Sequence, residues 1–535
     1  MSTPARRPLV LASLVALLIS AVAVPPAALA KPPAGVRVAG LELEPLTVPE
    51  LQDLMDRHRL SSVQLVQLYL RRIDALNPTL KAVITVSPTA LADGRAADRA
   101  RRAGTNLPLL GIPVLIKDNV NTTGMPTTAG SWALAGSTPD DAFIVERLRA
   151  AGAVILGKAN LSEWANFRSI PSSSGWSGIG GQGTMPYEIG RNPCGSSSGS
   201  AVAVAAHLAT LAVGTETDGS IVCPAGTNAV VGIKPTVGLL SREGIIPITA
   251  DQDTAGPMAR SVTDAAVMLG AMKGVDAQDP ATVGQPAVTD YTAFLDATAL
   301  DGARIGIWRE GTYDPTTSPE IHSIMNATAA VLEAQGAVVV DPLVVPIGDA
   351  YEPEFTALLC EFRTDIAAYL GTYTGTGYPK TLADLIAFNH DHPELEGDWN
   401  DAIFELANET GGRTDPACVE ARAAANAIAR ASIDDLMASQ DLDAIVAPTN
   451  GPAWMIDPVN GDLGGDFSLF VGSSTPAAVA GYPAITVPAG SVGGLPIGVS
   501  FIAGRWQEPE IIAFAFDFEQ ATGARWEPTL GRGPG

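Results

Sequence analysis

The run Ala201-Val202-Ala203-Val204-Ala205-Ala206 constrains the fold more than any other stretch of this chain. Six small apolar residues in succession leave no polar face, and a helix without a polar face has to be buried on every side. Residues 171–200, which lead into it, are rich in Gly, Ser and Pro. That composition usually marks a linker, but a linker does not run straight into a buried helix. The loop therefore lies over the core, where an active-site loop belongs.

The rest of the pattern is helix followed by strand. Thr47-Val48-Pro49-Glu50 and Ser61…Gln64 are capping boxes that start two helices. Asn77-Pro78 predicts the end of the second, since the residue before a proline disfavours helix. Residues 91–103 read as a charged helix and Leu109 to Ile116 as a buried strand ending at Lys117. A helix over 142–150, a strand over 153–156 and a strand over 211–213 follow. This order implies an α/β architecture. Residues 270–440 are more polar and less patterned, and helices with surface loops are expected there. Core strands return at 444–446 and 484–487.

The chain carries 57 acidic and 33 basic residues, a net charge of −24. Such a surface repels phosphate backbones and anionic lipid, which argues against a nucleic-acid partner and against membrane docking. Residues 1–30 read as an export signal: Arg6 and Arg7, an apolar run from Leu9 to Val24, and Ala28-Leu29-Ala30 as the cleavage site. The expected mature chain, residues 31–535, is one domain, secreted or periplasmic and monomeric. Arg6-Arg7 also suits twin-arginine export. An even set of cysteines, Cys194, Cys223, Cys360 and Cys418, permits two disulfides in an exported protein. Buried free thiols are the plainer expectation, and no C-x-x-C pair suggests zinc.

Three segments carry chemistry. Gly111 to Asn119 sets Lys117 at the end of an apolar strand, where desolvation favours the neutral amine and makes it a potential general base. The ordinary fate of such a lysine is an ion pair with Asp118 or another carboxylate. Thr217-Asp218-Gly219-Ser220 is a tight turn that places a serine among converging backbone N–H groups; a lone turn serine more commonly caps a helix. Gly195 to Ser200 admits three readings. It fits G-x-S-x-G with Ser197 as nucleophile, an anion nest at a helix N-terminus, or a serine that relays protons. The first needs a late histidine, and only His322, His390 and His392 come late enough, none in a catalytic setting. His207 sits on the apolar helix as a core residue.

Taken together, these segments resemble the amidase signature family, and within it the bacterial peptide amidases, over roughly residues 40–525. The resemblance rests on the three segments above, on Gly157-Lys158-Ala159-Asn160-Leu161-Ser162-Glu163-Trp164-Ala165-Asn166-Phe167-Arg168, and on Ala480 to Pro488. It implies a large mixed β-sheet covered by helices on both faces. It also implies a carboxamide hydrolase with a Ser-Ser-Lys triad: Lys117 as base, Ser196 as bridging serine after a cis peptide bond, Ser220 as nucleophile. Backbone N–H groups of Thr217, Asp218, Gly219 and Ser220 would form the oxyanion hole, and no cofactor or metal is implied. Asp218 and Val222 depart from the Gly and Arg common in the family, in line with the peptide-amidase resemblance. The implied substrate is a C-terminal peptide amide, with small aliphatic, aryl or fatty-acid amides as the alternative. Trp132, Trp164, Phe167, Trp176 and Trp454 are candidates for an apolar wall, though core packing is the usual role of such residues. A tRNA-linked amidotransferase component is opposed by charge and export signal, and a non-catalytic solute-binding protein would need no triad.

Overall fold

The computed structural model describes residues 36–44, 46–309, 319–373, 377–395, 397, 399–462 and 472–530. The export signal expected at 1–30 lies outside them. Eleven of the described strands form one mixed sheet. Its order is Val338–Leu343, Arg304–Trp308, Ala444–Pro448, Leu495–Ile502, Ala484–Val492, Val231–Lys234, Thr254–Ala259, Leu211–Glu216, Pro113–Lys117, Val154–Ala159 and Val83–Val86. The strands from Pro113, Val154 and Leu211 are buried at every position, which requires cover on both faces of the sheet.

The apolar helix is Ser198–Ala205, and all eight of its residues are buried, as its composition demands. It packs on the strand Leu211–Glu216 and its neighbours. Two expectations need correction. The second helix does not end at Asn77 but runs Ser62–Leu80 with Pro78 inside it. Pro78 removes one N–H donor, and the carbonyl that loses it belongs to exposed Asp74, which water can serve. The helix stops instead at Lys81, in the left-handed region at φ 52°, while Asn77 exchanges two 2.8 Å hydrogen bonds with Val83. The second correction concerns residues 270–440. They supply helices as expected, but also two parallel strands, Arg304–Trp308 and Val338–Leu343, at the sheet's edge. The latter is half exposed, so its apolar alternation is weak.

The cysteines are also corrected: none is free. Cys194 bonds Cys223 and Cys360 bonds Cys418. Pairing is decided by which helices and loops the fold packs together across 29 and 58 residues, and sequence spacing carries no such information.

Candidate active site

Strand direction builds the site. Pro113–Lys117 and Leu211–Glu216 are parallel neighbours, with Ile116 opposite Val213. Their C-terminal ends therefore emerge together, and Lys117 comes level with Gly214, with Thr215 one residue further on and within reach of its amine. Lys117 is fully buried, and its Nζ lies 2.8 Å from Ser196 Oγ, 2.9 Å from Thr215 Oγ1 and 3.1 Å from Thr215 O. Burial draws its pKa down to about 7, against the upward pull of Glu216 and Asp253. No carboxylate pairs with it among the described residues. Asp118 pairs with Lys158 instead, at 3.4 Å. The reason is the twofold period of a strand, which turns successive side chains to opposite faces. Ile116 is opposite Lys158 in the neighbouring strand, so Lys158 and Asp118 share a face that Lys117 does not. The ordinary ion-pair reading of Lys117 is thereby excluded.

The three neighbours of the amine are all oxygens, and it is burial that favours its neutral form. Two N–H bonds can go to Thr215 O and Oγ1, which leaves the lone pair to accept the hydroxyl proton of Ser196. Ser196 is fully buried and follows a cis peptide bond from Gly195. Gly195 tolerates no side chain: a Cβ there would stand 2.2 Å from Ser162 Oγ.

Ser220 closes a turn after the strand Leu211–Glu216. The strand's last residue ties the turn together, because Glu216 Oε2 accepts from the N–H groups of Ile221 at 2.7 Å and Val222 at 3.0 Å. Gly219 takes φ +76°, which lets the chain reverse without Cβ strain. Ser220 carbonyl accepts from Ser197 N–H at 3.1 Å, so the two serine loops touch. The hydroxyls of Ser196 and Ser220 do not hydrogen-bond to each other among the described residues. Ser220 is 8 % exposed while Ser196 and Lys117 are at 0 %, so of the three only Ser220 meets solvent. It opens on a cleft of about 170 Å³ lined by Gly195, Thr217, Asp218, Gly219, Cys223 and a wall of Ala165, Phe167, Ile248 and Leu358. The backbone N–H groups of Thr217, Asp218, Gly219 and Ser220 donate to no acceptor among the described residues.

The other candidates sort out plainly. Ser197 Oγ donates to Thr215 O and accepts from Thr215 N–H, so it laces loop to strand and is not presented to the cleft. His390 and His392 are exposed, and buried His207 bonds Glu44, with burial drawing its pKa down to about 3. Phe167 is the one proposed aromatic on the cleft wall. Trp164 packs edge-on to Phe404, and Trp454 packs on the Cys194–Cys223 disulfide. That disulfide joins the loop carrying Ser196 to the helix that follows Ser220, a link that sequence alone left open. Asp218 accepts hydrogen bonds from Ser474 and Thr475, and burial raises its pKa to about 6.

A buried, carboxylate-free lysine beside a buried serine lies at the C-terminal ends of parallel strands, where α/β enzymes place their active sites. Comparison with known proteins gives the family. The amidase family model matches residues 64–512, and the chain belongs to the amidase signature family, hydrolases of carboxamide C–N bonds. The native peptide amidase of Stenotrophomonas maltophilia is 50 % identical, with a TM-score of 0.84 over 90 % of this chain and 98 % of that one. A probable amidase of Arabidopsis thaliana is 41 % identical over 91 % of this chain and 92 % of its own. A putative amidase of Schizosaccharomyces pombe is 36 % identical over 90 % of this chain and 85 % of its own.

Proposed function

We propose that this amidase hydrolyses the C-terminal carboxamide of peptides to the free acid and ammonia, with Ser220 as nucleophile, Ser196 as relay and Lys117 as base. Neutral Lys117 takes the proton of Ser196 as Ser196 takes that of Ser220. Ser220 Oγ attacks the amide carbon, and the uncommitted N–H groups of Thr217, Asp218, Gly219 and Ser220 receive the oxyanion. The proton returns through Ser196 to the leaving nitrogen, the C–N bond breaks and ammonia departs. Water then adds to the acyl-enzyme through the same relay and releases the acid. The proton balance closes within the three side chains, so the cycle as written needs no cofactor.

The observation that carries the reading is the 2.8 Å contact of Lys117 Nζ with Ser196 Oγ behind Ser220, the one of the three that reaches the cleft. The half-identical peptide amidase supports the substrate. Export to an oxidising compartment, as a monomer apart from nucleic acid and membranes, fits the two disulfides and the acidic surface. Mass spectrometry of the exported protein should find Lys31 at its start. The activity test is ammonia release from amidated dipeptides beside matched aliphatic, aryl and fatty-acid amides. Preference for any of the latter over every peptide amide would defeat the substrate assignment, and an active Ser220→Ala would defeat the nucleophile.

A further inference from the structure

Gln252 is fully buried behind the nucleophile turn and takes no part in the cleft lining. Its Nε2 donates to the carbonyl of Thr217 at 2.9 Å and to Glu354 Oε1 at 2.7 Å. Its Oε1 accepts from Arg422 Nη1 at 2.8 Å. These contacts fix which end of the amide is which, because only the nitrogen can serve two acceptors and only the oxygen a guanidinium. Arg422 is in turn held by both oxygens of Glu361, at 3.0 and 2.7 Å. The helices carrying Glu354 and Glu361 (Tyr351–Gly371) and Arg422 (Pro416–Gln440) are stapled by Cys360–Cys418. The next residue, Asp253, accepts from Thr217 Oγ1 at 2.6 Å. Thr217 is thus gripped from behind by two consecutive side chains.

The consequence follows from peptide geometry. In a planar trans peptide the carbonyl of one residue and the N–H of the next point in opposite directions. The Thr217–Asp218 bond is not among the cis bonds. A Thr217 carbonyl held toward buried Gln252 therefore turns the Asp218 N–H the other way, to the side where the cleft lies. We infer that Gln252 is a positioning residue for the oxyanion hole, braced by Glu354 and Arg422 so that the Asp218 N–H stays aimed at the developing negative charge. The inference rests on the nucleophile turn acting as proposed above. Without the brace this peptide can flip, since a carbonyl in the cleft costs little before substrate arrives. It then costs heavily in the transition state, where it opposes the oxyanion.

The test uses Gln252→Leu and Gln252→Glu in the full chain, with ammonia release from an amidated dipeptide. The ionised glutamate keeps the shape and the acceptor for Arg422 but loses the donor both to Thr217 and to Glu354. Expected is a fall in kcat of about 10- to 100-fold, with KM within about twofold, because the donor acts in the transition state. Inhibition by a peptide aldehyde, which forms a tetrahedral adduct on the nucleophile, should weaken by a similar factor. Amidated dipeptide binding to the same variants carrying Ser220→Ala should not change. An unchanged kcat, a loss that appears in KM alone, or unaltered aldehyde inhibition overturns the inference, as does unfolding of both variants, which would make Gln252 a stability residue. An active Ser220→Ala instead strikes the reading of the turn itself, so the two failures are distinguishable.

Discussion

Replacing Lys117 by Arg tests the proposed base most directly. Burial lowers the lysine from 10.5 to about 7 although Glu216 and Asp253 pull it upward. That corresponds to a preference for the neutral amine of ~5 kcal/mol over an exposed lysine. At pH 7.5 about three molecules in four then carry a free base, where an exposed lysine would offer about one in 10³. The sign is fixed by the role: the active form is deprotonated, so kcat/KM should rise with pH, be half-maximal near 7 and fall about tenfold per unit below it. A guanidinium stays charged and offers no lone pair. Lys117→Arg should therefore lose at least about 10³-fold in kcat/KM and, with it, the limb near pH 7. Ammonia release measured from about pH 5 to about pH 9 decides the matter. Lys158 and Lys234 are drawn down to about 8 and could contribute a limb of their own, so the variant is an essential control. A wild-type half-point near the ordinary lysine value, or Lys117→Arg within tenfold of wild type, would refute the assignment.

Ser196→Ala should keep the fold and its thermal midpoint while lowering kcat by at least about 10²-fold, since it interrupts proton transfer only; an ordinary rate would remove it from the relay. Gly195→Ala drives a Cβ to 2.2 Å from Ser162 Oγ and should displace Ser196, giving a similar loss in ammonia release. A well-folded, fully active Gly195→Ala would show that the loop can yield. Cys360→Ala with Cys418→Ala opens a crosslink spanning 58 residues, worth ~4 kcal/mol if loop entropy dominates. Denaturant unfolding of the oxidised wild type against the variant measures it, and a difference under ~1 kcal/mol would argue against that account.

Much of this protein could be read along the chain. The buried helix at 198–205, the strand that delivers Lys117 and the capped starts at Thr47 and Ser61 all announce themselves within a few residues, because propensity, capping and apolar periodicity are local properties. Even the absence of a Lys117–Asp118 pair was legible in principle, since side-chain alternation turns neighbours to opposite faces, whereas Lys158 as the partner depends on strand register. What the sequence could not supply was every relation that depends on chain closure. The disulfide partners, the level meeting of Lys117 with Ser196 across 79 residues, and the brace from Arg422 through Gln252 to Thr217 exist only because parallel strands and stapled helices bring distant segments into contact. Local free energies write the elements. The packing of the sheet, which no short window of sequence contains, decides which polar groups those elements leave face to face.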